Sequence, residues 1–509
     1  MRHMAVKGLF LVLPALLARP ARTQQTAQVT TTKAFPAKAV RVVPASQLVF
    51  GSIGIASRSV AAREQLELAL DRYENAQYAD AIEYSRRAIA KDPQCALAYA
   101  LWSYAARSSG SAPEAIEKAM TLSGKSAADE RLLVTFMVGT QKGDALPAIS
   151  AMNDLVNKHP KDKHVLYLAG EWLFFQEDYV RGRELMERSL KIDPDFPPAL
   201  NTLGYAYVES LDPEPEKGIG LLQRYADVLP ADPNPQDSLG EVLRMTGDDA
   251  GSLARYAAAL GISPTFLTSQ YGRGDTYTLM GKYSLAREEY DKALKMASSE
   301  HDALHIQLQK TLVYFWQGDP ATGRSELAAL SEKAAEANDP IAQFEIDYAR
   351  SLLAANSRAA SAILASTEAR LALVPDDRIT SERNQEFAAV LREEARLALA
   401  NHQSSEADAL IQKLEQLASS SRDQKVENIY ESARGYRMNA DGDYSNAVDE
   451  LTSDLHSPLV VEQLIVVQQK LNNAEGAEKA RVRLKYLRTP TAEWYVVTKK
   501  AEETAENAN

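Results

Sequence analysis

The side chains whose chemistry could make a site are few and thinly grouped. The chain has 7 histidines. His301 and His305 stand four apart, so on a helix they share one face as two metal ligands would, with Glu300 and Asp302 beside them. The stretch EHDALH nevertheless lacks the Glu that follows the first His of H-E-x-x-H and serves there as general base. A polar helix start is the expected reading. His159 and His164 flank the turn HPKDKH and read as solvated loop. Asn439, Asp441 and Asp443 have the look of a calcium loop, but that loop wants its Gly at position six and a Glu at twelve, and Gly442 comes at position four. Cys95 is the single cysteine, which excludes an intrachain disulfide and a cysteine-rich zinc site. With no partner His identifiable, its thiol reads as inert filler. GRGD at Gly272 is rich in Gly, yet neither a phosphate loop nor a G-x-S-x-G elbow occurs. Carboxylates are spread along the chain and nothing singles out a pair. The expectation is a chain without catalytic residues, metal or cofactor.

Composition narrows the class. The 509 residues are 45% hydrophobic, 25% charged and 7% aromatic, with 22 prolines and 24 glycines. These are values of a folded globular chain, not of collagen, wholesale disorder or a polytopic membrane protein. Acidic residues number 69 against 57 basic ones, a net charge of −12. Nucleic-acid binding draws on concentrated Lys and Arg, so that partner class is excluded.

The first 22 residues read as an address. Arg2 and Lys7 precede GLFLVLPALLA, which is followed by a polar stretch rich in small residues, the layout of a secretory signal peptide. An apolar run of this length is too short to cross a bilayer as a helix, which takes roughly 20 residues. Cleavage after Ala18 or Ala21 is expected, and no cysteine follows to take a lipid. Removing residues 1–22 takes away four basic residues and no acid, moving the net charge from −12 to −16. The expected location is therefore outside the cytoplasm, in a periplasm or at a cell surface, with no transmembrane span left. Residues 23–61, with Lys33, Lys38, Arg41 and Arg58 and no acid, form a flexible basic leader or an arm that docks on the first helices.

What would position any side chain is a 34-residue period. From a start at Ala62, Tyr78, Ala81, Ala88 and Pro93 fall at positions 17, 20, 27 and 32. From Lys163, Gly170, Tyr179 and Pro194 fall at 8, 17 and 32, and from Pro233, Gly240, Gly247, Tyr256 and Pro264 fall at 8, 15, 24 and 32. The fullest copy starts at Leu267, with Gly274, Gly281, Tyr283, Ala286, Tyr290 and Ala293 at 8, 15, 17, 20, 24 and 27. A late copy restores Gly442, Tyr444 and Ala447 at the same relative spacing. The Gly at position 8 lets a second helix come close, and the Gly at 15 turns the chain in the left-handed region. Ala286, Tyr290, Ala293 and Leu294 line one face of that second helix. One such pair cannot bury its apolar face alone, but stacked copies can.

This pattern resembles the tetratricopeptide repeat family, helix–turn–helix units of 34 residues. The resemblance is strong over 62–95 and 267–300, good over 163–264, weaker over 96–160, slight over 304–435 and recovered over 436–455. It implies an all-α superhelix, a solenoid of antiparallel helix pairs, with room for about 12 pairs. The expected division is an array at 62–300, degenerate helical repeats at 301–435, a last repeat and closing helices at 436–487, and a tail at 488–509. Trp494 and Tyr495 of the tail are expected to pack on the last pair.

In this family the first helices of successive units line a concave groove, and positions 2, 5, 9 and 12 touch the ligand. Carried onto this sequence, the groove takes Tyr167, Glu171 and Phe174, then Asn201 and Tyr205, then Asp237 and Glu241, then Tyr271 and Asp275. The acids among them favour a neutral or basic ligand, and the tyrosines offer anchors. The implied function is a non-catalytic exported scaffold that binds a protein or peptide in the groove. The alternatives are a structural, self-associating envelope protein or, further off, an all-α enzyme or enzyme subunit acting on polysaccharide. Neither the partner's identity nor the oligomeric state can be read from the residues.

Overall fold

The structure, a computed structural model, describes residues 51–106, 112–141, 145–176, 178–374, 382–421 and 423–499. The signal-like segment 1–22, most of the basic leader and residues 500–509 lie outside them. Regular structure among the described residues is α-helical, and from Val60 to Lys158 and from Tyr179 to Lys485 each helix packs on the next. The fold is thus the all-α array of helix pairs that the period predicts.

The best-formed copy shows why the period exists. Helix Leu267–Leu279 ends at Met280, and Gly281 turns the chain at φ +71. Helix Tyr283–Leu294 then returns along the first. A Cβ on Gly274 would lie 2.5 Å from the Tyr290 ring, so position 8 must be Gly for the Tyr at position 24 to fit. The same pairing recurs where Gly240 faces Tyr256, Gly204 faces Leu222 and Gly435 faces Leu451. Tyr290, Tyr256 and Leu222 are buried, each burial worth roughly 2 kcal/mol. Caps mark the helix starts. Asp232, Asp319 and Asp339 each accept a backbone N–H from the first turn, with Pro at the first helical position.

The chain divides into two compact units, one ending at Val165 and the other beginning at Leu166, inside helix Lys163–Phe175. In the first unit, residues 51–59 dock on the helices that follow. Ile53 is fully buried, Ser52 donates to Asp162, and the Ala56 N–H donates to Glu130 Oε2 at 2.8 Å. His164 Nδ1 lies 2.8 Å from Glu74 Oε1, and Cys95 is buried.

The second unit holds the remaining copies without a break at residue 300. Its first helices include Pro197–Glu209, Pro233–Thr246, Leu267–Leu279, Glu300–Trp316, Pro340–Leu352, Glu382–Ala400, Gln424–Asp441 and Pro458–Lys470. Each touches the next, whereas the second helices make no comparable contact with one another. One continuous face is therefore built of first helices. The stretch where the period fades has longer helices: Glu300–Trp316 and Pro320–Glu336 have 17 residues each, Glu382–Ala400 has 19 and Ser404–Ser421 has 18. First helices start there at 300, 340, 382 and 424, hence 40–42 residues apart, and the spacing returns to 34 at Pro458. The helix-pair architecture persists, and only the length of the unit changes.

The late pairs come back to the early ones. The Tyr179 hydroxyl lies 2.7 Å from His456 Nε2, Lys479 pairs with Asp212 at 3.4 Å, and Leu211 joins the apolar cluster of Tyr436, Leu451 and Leu464. Burial, with Arg483 and Lys425 nearby, pushes His456 down to about 3, so a neutral ring shares this hydrogen bond with Tyr179.

Candidate functional site

The face of first helices carries a ladder of polar side chains. The Tyr205 hydroxyl donates to Glu241 Oε2 at 2.8 Å, one helix on. Ser269 donates to Asp237 Oδ1 at 2.5 Å, and the Tyr271 hydroxyl lies 3.0 Å from His305 Nε2, with the rings stacked. His305 Nδ1 in turn lies 3.2 Å from Glu345 Oε2. Asp275 accepts from the Tyr290 hydroxyl at 2.7 Å within its own pair. Burial pushes Glu209 up to about 8, Asp237 up to about 7 and Asp275 up to about 6; Arg483 opposes the first shift and Arg244 the other two.

Of the residues mapped to the groove, Asn201, Tyr205, Asp237, Glu241, Tyr271 and Asp275 stand on successive first helices that touch one another, and most are already engaged. Tyr167 and Phe174 are buried; the Tyr167 hydroxyl donates to Glu171 at 2.8 Å and its ring meets Phe196 edge-on. Tyr205, Tyr271 and Asp275 are buried, while Asn201, Asp237 and Glu241 are half-buried. Tyr205, Asp237, Glu241 and Tyr271 join one first helix to the next, Tyr167 and Asp275 bond within their own helix or pair, and substituting them would disturb packing before it tested recognition. His301 pairs with Asp339, and no group of three or more His, Cys, Asp and Glu with the geometry to hold a metal occurs among the described residues.

Sequence reasoning missed what lies on this face. Tyr495 does not pack on the last pair. Its ring meets Trp316 edge-on at 5.1 Å and Phe315 at 5.9 Å, while Ala492 and Val496 join the cluster of Leu304, Leu312, Ile346 and Leu353. The segment after residue 485 is received mainly by early and middle copies, the last pair contributing the cap residue Ser457.

Polar anchors fix that segment at two points. Arg488 donates both terminal nitrogens to Asp249, at 2.5 and 2.9 Å. The Arg488 carbonyl and the Thr489 hydroxyl accept from Arg244 Nη1 at 2.9 and 3.0 Å. Five residues on, the Glu493 carboxylate accepts from the Tyr348 hydroxyl at 2.7 Å, Ser457 Oγ at 2.7 Å and Arg392 Nη2 at 3.4 Å. Arg392 also pairs with Asp454 at 2.5 Å. The buried hydroxyl of Tyr436 on the neighbouring first helix has no hydrogen-bond partner. The segment starts its own helix at residue 492, capped by Thr491 Oγ1 accepting from the Trp494 N–H at 3.2 Å. The signal was present in the sequence: PTAEWYVV pairs a helix start with apolar residues beyond the last repeat.

Four first helices, the cap of a fifth and Asp249 at the start of a second helix thus hold one short stretch of chain by an Arg receptor, a carboxylate receptor and an apolar seat between them. The arrangement holds a peptide segment. Among the described residues no helix is long and apolar enough to cross a membrane.

Comparison with known proteins agrees with the period. Residues 267–300 match the tetratricopeptide repeat family model. No curated protein matches the chain. Among solved structures, yeast Tom70 is similar at 14% identity over 87% of this chain and 99% of that one, with a TM-score of 0.40. The type IV pilus biogenesis factor PilW is similar at 17% identity over 45% and 98%, TM-score 0.31. YrrB, described as a repeat protein with an unusual peptide-binding site, is similar at 19% identity over 43% and 96%, TM-score 0.26. Residues 267–300 are thus similar to a tetratricopeptide repeat, and the helix pairs around them repeat its helix–turn–helix plan.

Proposed function

We propose that this protein is a non-catalytic scaffold that binds a protein or peptide segment on the face of its first helices. The observation that carries the reading is the chain's own segment 488–497, seated on that face by side chains from Pro233–Thr246, Glu300–Trp316, Pro340–Leu352 and Glu382–Ala400. A face that satisfies the polar groups of one extended-then-helical segment has the donors, acceptors and apolar seat to hold another. We further propose that it acts outside the cytoplasm, on the strength of residues 1–22 alone. A photo-reactive phenylalanine analogue at Trp316, on this face, tests the binding reading against one at the exposed Glu326 on the opposite layer. In the native host, partner adducts from position 316 and none from 326 support it. Adducts from 326 alone sink it. Fractionating the same cells tests the location, and a full-length cytoplasmic protein would remove the export proposal.

A further inference from the structure

We propose that the segment Arg488–Val497 is an internal ligand that gates the scaffold, and that the partner is a helical peptide presenting a carboxylate near its first turn. The inference rests on the binding reading above and adds to it the ligand chemistry and the control.

The chemistry of the seat carries the first half. Three donors from three elements, Tyr348 Oη, Arg392 Nη2 and Ser457 Oγ, converge on the two oxygens of Glu493. Arg392 and Tyr348 belong to the array and stay in place whether or not Glu493 is there. A departing Glu493 would leave Arg392 Nη2 with only the Tyr348 hydroxyl at 3.3 Å, its other nitrogen still paired with Asp454, so a replacement carboxylate is favoured over water or an apolar side chain. Glu493 stands in the first turn of a capped helix, where the helix dipole also favours an acid. At the other end Asp249 accepts a guanidinium through both oxygens. The acids on this face are mostly engaged by neighbouring hydroxyls or by His305, so the ligand is not simply the neutral or basic one that the Glu and Asp at groove positions suggested. It carries a cation and, five residues later, an acid.

The build of the segment carries the second half. A stay that only closes the array would be expected to bury a large apolar surface. Here Tyr495, Val496 and Trp494 are only partly buried, Ala492 and Val497 are small to medium apolar residues, and the fixed points are charge pairs. Polar anchors of this kind exchange against a competitor of like chemistry, and a tethered segment competes at an effective concentration of about 1 mM.

The probe is a fluorescein-labelled synthetic peptide with the sequence of residues 486–500, titrated by anisotropy into the full-length chain. The wild type is expected to bind it weakly, because the internal copy holds the seat. The full-length variant Arg488→Ala/Glu493→Gln, altered only in the internal copy, is expected to bind it at least ~10-fold more tightly. Adding Tyr348→Phe and Asp249→Asn to that variant is expected to remove the gain. Glu493→Gln alone, which keeps size and shape, is the milder variant should the double one lose helicity, and its gain is expected to be at least ~3-fold. Equal binding by wild type and variants, or a gain that survives Tyr348→Phe and Asp249→Asn, overturns the proposal. A partner that cross-links from position 316 equally in wild type and Glu493→Gln overturns the gate while leaving the scaffold reading intact.

Discussion

Gly274→Ala adds one methyl where helices Leu267–Leu279 and Tyr283–Leu294 cross. The new carbon would lie 2.5 Å from Cε1 and 2.7 Å from Cδ1 of Tyr290. Carbon atoms pack at about 3.5–4.0 Å, so ring and backbone must part by about 1 Å. The ring has little freedom to give way, since Tyr290 is fully buried and its hydroxyl is bonded to Asp275. Overpacking of this kind costs about 1–3 kcal/mol, and replacing Gly by Ala inside a helix returns about 1 kcal/mol. The expected net is a loss of about 1 kcal/mol. Gly220→Ala is the control: it sits in helix Pro215–Val228 with nothing within 4 Å of its added carbon, so only the propensity gain of about 1 kcal/mol remains. The two variants should differ by about 2 kcal/mol in urea unfolding followed by circular dichroism. Because repeat arrays unfold in parts, amide exchange in 267–294 should carry the loss locally. If Gly274→Ala were as stable as Gly220→Ala, the close approach of position 8 to position 24 would not be what fixes the pair.

Other outcomes follow from the same geometry. Glu209 is buried with its carboxyl raised to about 8, so its neutral form favours the fold: that contribution is full below pH 4.5 and is lost as pH rises through 8. Glu209→Gln should therefore match the wild type near pH 4 and exceed it by about 5 kcal/mol at pH 9, read as melting temperature across pH. Burial pushes the Cys95 thiol up to about 12, so it should resist iodoacetamide at pH 8 in the folded chain and react on unfolding, as mass spectrometry would show. Asp232→Ala removes the cap on helix Pro233–Thr246 and should cost about 1 kcal/mol in urea unfolding, with Asp232→Asn nearly neutral.

The fold was legible where the unit keeps its length. Gly274, Gly281 and Tyr290 recur at fixed positions because a 13-residue and a 12-residue helix must cross and turn at the same places. From Glu300 to Ser421 the helices lengthen, so the same packing solution no longer falls at a 34-residue spacing and the signature dissolves while the architecture continues. The candidate site was legible as a face and not as a set of contacts. Tyr205, Tyr271 and Asp275 do fall on first helices, but position within a unit says nothing about Glu241, His305 and Tyr290, which occupy their polar groups. The seat of Arg488 and Glu493 was hidden for another reason. Its members, Arg244, Asp249, Tyr348, Arg392 and Ser457, are spread over more than 200 residues and meet only because the array turns back on itself.

The array holds the segment after residue 485 through Asp249, at the start of the second helix Asp249–Ile262, and through Tyr348, Arg392 and Ser457 on the first-helix side. Amide hydrogen exchange of residues 494–498 in the full-length protein measures that most directly, with Asp249→Ala and Tyr348→Phe as comparators. The account predicts exchange in the wild type at least ~10-fold slower than in either variant, since each substitution removes an anchor worth about 1–2 kcal/mol. Exchange of these amides in the wild type at the rate of an unstructured peptide would contradict it.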